Sequence, residues 1–151
     1  MMAAIILPAR LGQQLRAEAV AALPRECCGL VEGILDGSAA CVTALHPMPN
    51  LAEETDRFEI DPAAHIALLR RLRAEGRRII GCYHSHPDGR SEPSERDREG
   101  ADEEGFLWLI AGVCEGGSGQ PRLAGFVSTG GGFSPVRLDA RSLDRPAAPP
   151  V

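Results

Sequence analysis

Two histidines and a downstream aspartate are the residues of this 151-residue chain whose types and spacing could do chemistry. His84 and His86 follow an apolar, β-favouring run and stand two positions apart, so a strand would point both imidazoles to the same face. Asp97 follows on the next segment. Two neutral imidazoles and one carboxylate are a common ligand set for a catalytic zinc ion, which keeps one coordination position open for water. The spacing therefore predicts an open metal site.

A strand, a turn and a helix must position these side chains. The run Ile79–Tyr83 predicts a buried strand, and Pro87 ends it because proline cannot donate to a ladder. Asp88-Gly89 marks a turn. The third helix of the chain is then predicted to run from Ser94 to about Glu103.

The histidines and the aspartate also have purely structural explanations. Ser94 followed three residues later by Asp97 is a helix-capping arrangement, in which the helix dipole favours the carboxylate. His84 and His86 could be two hydrogen-bonded surface residues. Capping and ligation are compatible, since the cap would fix the backbone that presents Asp97.

The order His-x-His, seven residues, Ser, two residues, Asp resembles the metal-binding signature of the JAMM (MPN-plus) metalloproteases. His84, His86, Ser94 and Asp97 occupy its positions without a gap. The family also has a glutamate well upstream, at the start of a strand, and Glu26 matches that place. The resemblance covers roughly residues 5–138 and continues through two further segments, Phe58–Pro62 and Leu109–Val113.

The resemblance implies a role for each of these five residues. His84, His86 and Asp97 would hold one Zn²⁺, and Glu26 would act as the general base and acid that carries a proton from water to the leaving amine. Ser94 would donate a hydrogen bond to the tetrahedral oxyanion. A Ser-His hydrolase is the rival explanation of Ser94, but the chain has no Gly-x-Ser-x-Gly elbow.

The resemblance also implies a fold and a substrate. We expect one α/β domain over residues 1–140, with a mixed β-sheet flanked by helices in the cytidine-deaminase-like arrangement, and a flexible tail over 141–151. The implied reaction is hydrolysis of the amide or isopeptide bond after the C-terminal glycine of a ubiquitin-like β-grasp protein, often a sulfur carrier in bacteria. We expect its tail to lie along a free sheet edge near Glu26. The alternative is a non-catalytic scaffold or binding module of the same fold.

Several residues invite a second interpretation. Cys82 shares the predicted strand face of the two histidines and could close the site as a fourth ligand, although cysteine at such a place is often a small buried hydrophobe. The cysteines beside Glu26 are interpreted as buried in the same way. His46, in a predicted loop, and His65, on a predicted helix, are expected not to be ligands. The arginine face of that helix is either solvated or a docking patch for an acidic partner; it contains Arg70, Arg73 and Arg77.

Composition narrows the setting. The net charge of −5 does not favour non-specific binding to nucleic acid. No apolar run reaches the roughly 18 residues of a membrane span, and the first residues lack the features of a secretory signal. Five cysteines without a paired Cys-x-x-Cys pattern argue for a reducing compartment, so we expect a cytoplasmic protein.

The remaining elements follow from periodicity and turn residues. A first helix is predicted between Pro8 and Pro24, and a second between Asp61 and Gly76 with an apolar stripe of Ile66, Leu69 and Leu72. Strands are predicted at Ile5–Leu7 (an edge strand), Cys27–Glu32 (closed by Gly33), Cys41–Leu45 (broken by Pro47), Phe106–Val113, Leu123–Ser128 and Phe133–Leu138. Turns are predicted at residues 36–37, 116–119 and 130–132.

Overall fold

A computed structural model describes residues 1–114 and 119–140. The predicted tail, and most of the predicted turn at 116–119, lie outside these residues. The elements in chain order are β1 (Ala4–Ile6), α1 (Ala9–Ala22), β2 (Cys28–Asp36), β3 (Ala39–Met48), α2 (Pro62–Ala74), β4 (Ile79–His86), α3 (Glu95–Glu99), β5 (Leu107–Gly112), β6 (Arg122–Ser128) and β7 (Phe133–Asp139).

The sheet is mixed and closes on itself in the order β1-β3-β2-β4-β5-β6-β7. β1 runs parallel to both β3 and β7, β4 runs parallel to β5, and the other neighbours are antiparallel. The expected α/β domain with a mixed sheet is thereby confirmed, but β1 is not an edge strand. The cytidine-deaminase-like arrangement is not specifically shown: the three residues of β1 pair with Ala39–Cys41 on one side and Arg137–Asp139 on the other, and so close the sheet.

Helix α1 covers one face of the sheet. It starts after Pro8 and ends before Pro24, as predicted. Its buried side chains include Leu11, Leu15 and Ala19, and they belong to a core cluster with inward residues of β2, β4 and β5. Spacings of four residues place these three on one helical face.

Helix α2 packs against a second core cluster on the other face. Its buried residues are Leu68 and Leu72, which pack with residues of β2, β4, β5 and β6. The predicted stripe was therefore misplaced: Ile66 is 52% exposed and only Leu72 is fully inside. Gly76 follows the helix with a φ of +71°, so it supplies the left-handed residue that ends the helix.

The β2–β3 hairpin is longer than predicted. β2 continues through Gly33, and its pairing with β3 shifts register between Glu32 and Gly33, as at a β-bulge. β3 continues through Pro47, which is tolerated because β1 pairs with β3 only near the other end of that strand. His46 consequently lies on β3 and not in a loop, and its Nε2 is 2.8 Å from a carboxylate oxygen of Glu32.

The third helix is shorter than predicted. α3 has five residues because Gly100 ends it, donating its N–H to Arg96 and Asp97 carbonyls. Within the described ranges, no helix is both long and apolar enough to cross a membrane.

Candidate metal centre

The two histidines lie at the end of β4, on one face, as their spacing predicted. His84 is 0% exposed and its ring stacks on Phe58 with centroids 4.5 Å apart. His86 Nδ1 lies 3.0 Å from the backbone oxygen of Arg90, which orients that ring. The two Nε2 atoms are only 3.0 Å apart. Both rings therefore present a nitrogen to the same point.

Asp97 brings a carboxylate to that point from α3. Its Oδ2 is 3.0 Å from His84 Nε2 and 3.1 Å from His86 Nε2. The same Oδ2 accepts a hydrogen bond from the Ser94 N–H at 2.8 Å, while Ser94 Oγ accepts one from the Asp97 N–H at 3.1 Å. This reciprocal capping box holds the carboxylate. Capping and presentation of Asp97 to the histidines thus occur together.

The three donor atoms fit a small tetrahedral cation. Zinc bonds of about 2.0–2.2 Å at tetrahedral angles place neighbouring ligand atoms about 3.3–3.5 Å apart. The separations of 3.0–3.1 Å between His84 Nε2, His86 Nε2 and Asp97 Oδ2 need only a small expansion to reach that spacing. Imidazole and carboxylate donors are also the ligand types that zinc accepts.

Glu26 approaches the same histidines from the residue pair that precedes β2. It is 4% exposed, and ligand atoms of Glu26, His84 and His86 all lie within 4.8 Å of one another. Two possible ligand sets therefore share the histidine pair, one completed by Glu26 and one by Asp97. The contacts of Asp97 are the closer ones. Glu26 Oε1 is buried and has no hydrogen-bond partner among the described residues, so it remains free to bind a cation or handle a proton.

Burial and mutual contact shift the pKa values of these four groups. Desolvation raises the pKa of Glu26 from 4.5 to about 8, against the opposing charge of His86. Desolvation also lowers the pKa of His84, despite its contact with Asp97. Burial disfavours the charged forms of His86 and Asp97, but the contact between the two side chains has the larger effect. It raises the pKa of His86 and holds the pKa of Asp97 well below its usual range. A neutral His84 and an ionised Asp97 are the forms that bind metals.

The described part of the centre leaves a second buried polar atom unpaired, His84 Nδ1. A metal-binding histidine usually donates this hydrogen to an oxygen that orients the ring. Here the stack on Phe58 and an edge contact with Trp108, at 5.7 Å between centroids, position the ring instead. A group bound at the Nε2 atoms could complete the interactions of Glu26 but not those of His84 Nδ1, which points away on the other side of the ring.

Comparison with known families decides the membership of this chain. The family described as prokaryotic homologues of the JAB domain matches residues 8–123, a stretch that contains the whole centre.

The chain belongs to this family.

Two curated relatives of this JAB-domain chain are informative by name. The desampylase of Haloferax volcanii is 40% identical over 88 residues, which are 58% of this chain and 62% of that protein. A probable TtuB-protein conjugate cleaving protease of Thermus thermophilus is 32% identical over 94 residues, 62% of this chain and 60% of that protein. The chain thus spans less than two thirds of either relative. A solution structure of a Desulfitobacterium hafniense protein matches with a TM-score of 0.80 and 27% identity, covering 91% of this chain and 93% of the other.

The centre opens into a groove between the loop that follows β3 and the segment around α3. One cavity of about 660 Å³ is lined by Glu26, His86 and Ser94 together with residues of both walls. A second cavity of about 610 Å³ has Asp97 in its wall and is lined by both apolar side chains, such as Phe58 and Trp108, and charged ones. Arg96 borders both cavities. Glu26, His86 and Ser94 of the JAB-domain centre therefore line an open cavity.

Cys82 does not join the potential ligands in the described residues. It is buried between β2 and β5, in the cluster that contains Leu30 and Trp108, and burial raises the pKa of its thiol well above the usual value. The Cys82→Ala variant should therefore bind as much metal as the unaltered protein and lose roughly 1 kcal/mol of unfolding free energy. Metal content and chemical denaturation check this. Loss of metal from the variant would mean a four-ligand, structural site.

The sequence analysis missed three residues that shape the centre. Phe58 stacks on His84. Asn50 donates a hydrogen bond to the backbone oxygen of Glu26, and Ser85 Oγ accepts one from the backbone N–H of Cys27. Phe58 stood in a segment shared with the family, but nothing local pointed to its ring contact. No sequence signal marked the other two, because their partners are distant in the chain.

Proposed function

We propose that this JAB-domain protein is a zinc-dependent metallopeptidase that hydrolyses the amide or isopeptide bond after the C-terminal glycine of a ubiquitin-like, β-grasp protein. The observation that carries the proposal is the close triangle of His84 Nε2, His86 Nε2 and Asp97 Oδ2, with the unpaired Oε1 of Glu26 beside it. The names of the Haloferax and Thermus relatives support the class of substrate.

In this proposal, His84, His86 and Asp97 hold one Zn²⁺. Bound zinc lowers the pKa of a water molecule to about 7 and polarises the carbonyl that is attacked. Glu26 accepts the proton of the attacking water at Oε1 and donates it to the leaving amine. Glu26 must be ionised to accept that proton. The positive charge of a Zn²⁺ ion held by the neighbouring histidines and Asp97 would favour the ionised form.

Ser94 completes the proposed machinery. Its Oγ accepts from the Asp97 N–H and still has a hydroxyl hydrogen to donate toward the groove. That hydrogen bond would stabilise the negative charge that develops on the carbonyl oxygen of the substrate. A hydrogen-bonded cap and an oxyanion donor are compatible roles, because one uses the oxygen lone pair and the other uses the hydrogen.

Changing Ser94 to alanine separates these roles. We expect Ser94→Ala to retain one zinc per chain and to lose about 10²–10³-fold in kcat, the typical effect of one oxyanion donor. The lost cap should lower the unfolding free energy by about 1 kcal/mol. Metal analysis, steady-state kinetics and denaturation give the three values. Wild-type kcat in this variant would exclude Ser94 from catalysis.

The expected position of the substrate tail needs correction. β2 has β3 on one side and β4 on the other, so no sheet edge is free beside Glu26. We place the extended tail in the groove beside the centre, which Glu26, His86 and Ser94 line. Arg77, which was predicted on the arginine face of α2, follows that helix and does not lie on it. It donates to Glu32 and Glu75 near the start of β4, whereas His86 is at the end of that strand.

The direct test uses a ubiquitin-like protein whose C-terminal glycine is joined to lysine or cysteine. Mass spectrometry should show release of the amine and return of the free glycine end. The chain has sixteen arginines and no lysine, so no lysine of its own can carry an isopeptide bond and confuse the product analysis. The tail peptide alone should react poorly, because the folded partner supplies most of the binding energy.

Two outcomes would contradict the proposal. Equal cleavage of unrelated unfolded peptides would indicate a general peptidase. Tight binding of the partner without cleavage by the zinc-loaded protein would indicate the scaffold or binding module.

We place the protein in a reducing compartment, and by inference in the cytoplasm, because all five cysteines are unpaired.

A further inference from the structure

The peptide group between Glu26 and Cys27 is held by two side chains. Its carbonyl oxygen, that of Glu26, accepts a hydrogen bond from Asn50 Nδ2 at 3.0 Å. Its N–H, that of Cys27, donates to Ser85 Oγ at 2.8 Å. A peptide group is a rigid plane, so bonds at both of its ends fix its orientation. That orientation sets the direction in which the Glu26 side chain leaves the backbone.

Asn50 uses its whole hydrogen-bonding capacity in this arrangement. Its Nδ2 donates to Glu26 O at 3.0 Å and to Arg57 O at 3.2 Å. Its Oδ1 accepts from the N–H groups of Ala52 and Glu59, at 2.9 and 3.0 Å. An amide side chain offers two donors and one two-lone-pair acceptor, so none is left over. The partners also define which amide atom is oxygen and which is nitrogen.

The two bonds connect Glu26 to β4, which carries both histidines, and to the loop that packs on one of them. Ser85 lies between the two histidines on β4 and is 0% exposed. Asn50 anchors the loop of residues 51–59, whose Phe58 stacks on His84. The strand register also places Glu26 near the histidines. Antiparallel β2 and β4 pair Cys28 with His84, and the same register extended by two residues sets Glu26 opposite His86.

We propose that Asn50 and Ser85 are positioning residues, which together hold Glu26 at the place where it transfers protons; this rests on the proposed function. Glu26 Oε1 has no hydrogen-bond partner in the described residues, so no bond at that atom fixes its position. The backbone must supply the precision. Neither Asn50 nor Ser85 contacts the reacting atoms, since both act through the peptide group that they clamp.

The sharpest test replaces Asn50 by aspartate, which has nearly the same shape. Asn50→Asp keeps an oxygen for the loop N–H groups of Ala52 and Glu59 but loses the donor to Glu26 O. We expect kcat to fall about a hundredfold, the scale of a displacement of about 1 Å in an active site. KM should stay within about threefold, and the zinc content should stay at one per chain. A purely structural role would not produce this split.

Arg25→Met is the matched control. Arg25 Nη2 donates to the backbone oxygens of Asn50 and Ala52, so its loss loosens the same loop without touching the clamped peptide. This variant should raise KM more than it lowers kcat. If Arg25→Met reproduces the kcat loss of Asn50→Asp, the effect belongs to the loop and the proposal is wrong. Unchanged kcat in Asn50→Asp would also overturn it.

The Ser85→Ala variant and the double variant test the clamp as a unit. Both single changes release the same peptide group, so their effects on kcat should not multiply: the double variant should lie within about threefold of the worse single one. Multiplicative losses would show two independent effects and refute the shared clamp.

Hydrogen exchange at the Cys27 N–H supplies a readout that does not need activity. Exchange should be at least about tenfold faster in Ser85→Ala, and also faster in Asn50→Asp, while amides of β5 keep their protection. Unchanged exchange in both variants would contradict the clamp whatever the kinetics. If the unaltered protein cleaves no conjugate, the proposed function fails, and the exchange data still decide whether the clamp exists.

Discussion

Replacing Glu26 by glutamine should abolish turnover while leaving one zinc per chain. The amide has nearly the same shape as the carboxylate, but it cannot accept the proton of the attacking water. General acid–base catalysis contributes about 10²–10⁴-fold, and a residue that acts first as base and then as acid should lie at the upper end of that range. Steady-state kinetics and elemental analysis of protein purified without chelator measure the two quantities.

Glu104→Gln is a matched control, since it makes the same chemical change at an exposed position. It should leave both quantities unchanged. Loss of zinc from Glu26→Gln would instead mean that Glu26 is a metal ligand, as its closeness to His84 and His86 permits. The roles of Glu26 and Asp97 would then have to be exchanged.

The same substitution should alter the pH dependence of stability in the metal-free protein. Burial raises the pKa of Glu26 to about 8 in the folded chain, against an ordinary value of 4.5. The folded state therefore keeps a proton that the unfolded state loses, and its stability falls as pH rises between about 4.5 and 8. Glu26→Gln removes this contribution. The unfolding free energy of the Glu26→Gln variant minus that of the unaltered protein should therefore rise by roughly 2–4 kcal/mol from pH 4 to pH 8.

Replacing His84 by alanine should remove both the zinc and the activity. Without its Nε2 only two of the three close donor atoms remain, and kcat should fall by at least about 10³-fold because the metal supplies several kcal/mol of transition-state stabilisation. The fold should persist, because the first core cluster and most of the second lie away from His84, and only Phe58 and Trp108 lose a ring contact. Elemental analysis, kinetics and circular dichroism check the three expectations.

His65→Ala serves as the control for this variant, because His65 lies on α2 outside the potential ligands and should leave the zinc content at one per chain. Full zinc content in His84→Ala would show that the ligand set is a different one. Failure of added zinc to bind even the unaltered protein would remove the basis of the enzyme proposal.

Local chemistry was enough to predict most elements. The proline and glycine boundaries of α1 and α2 and the alternation along β4 were read correctly, since each depends on a few neighbouring residues. Errors arose where a distant neighbour decided. Ile66 satisfies helical periodicity but faces solvent, because the sheet meets α2 along Leu68 and Leu72. β1 appeared to be an edge strand, because nothing in its sequence shows that β7 pairs with its other side.

The sequence by itself determined the histidine pair and its capped aspartate. Side chains two residues apart on a strand point to the same face, which places His84 and His86 together. Asp97 follows the cap residue Ser94 by three positions, which is the spacing of a capping box. Short-range geometry was therefore sufficient. Only the tertiary structure decided where Glu26 lies relative to the pair. The pairing of β2 with β4 sets it beside His86, and Asn50 and Ser85 hold its peptide group there. These contacts join segments far apart in the chain, and no local pattern encodes which distant segments will meet.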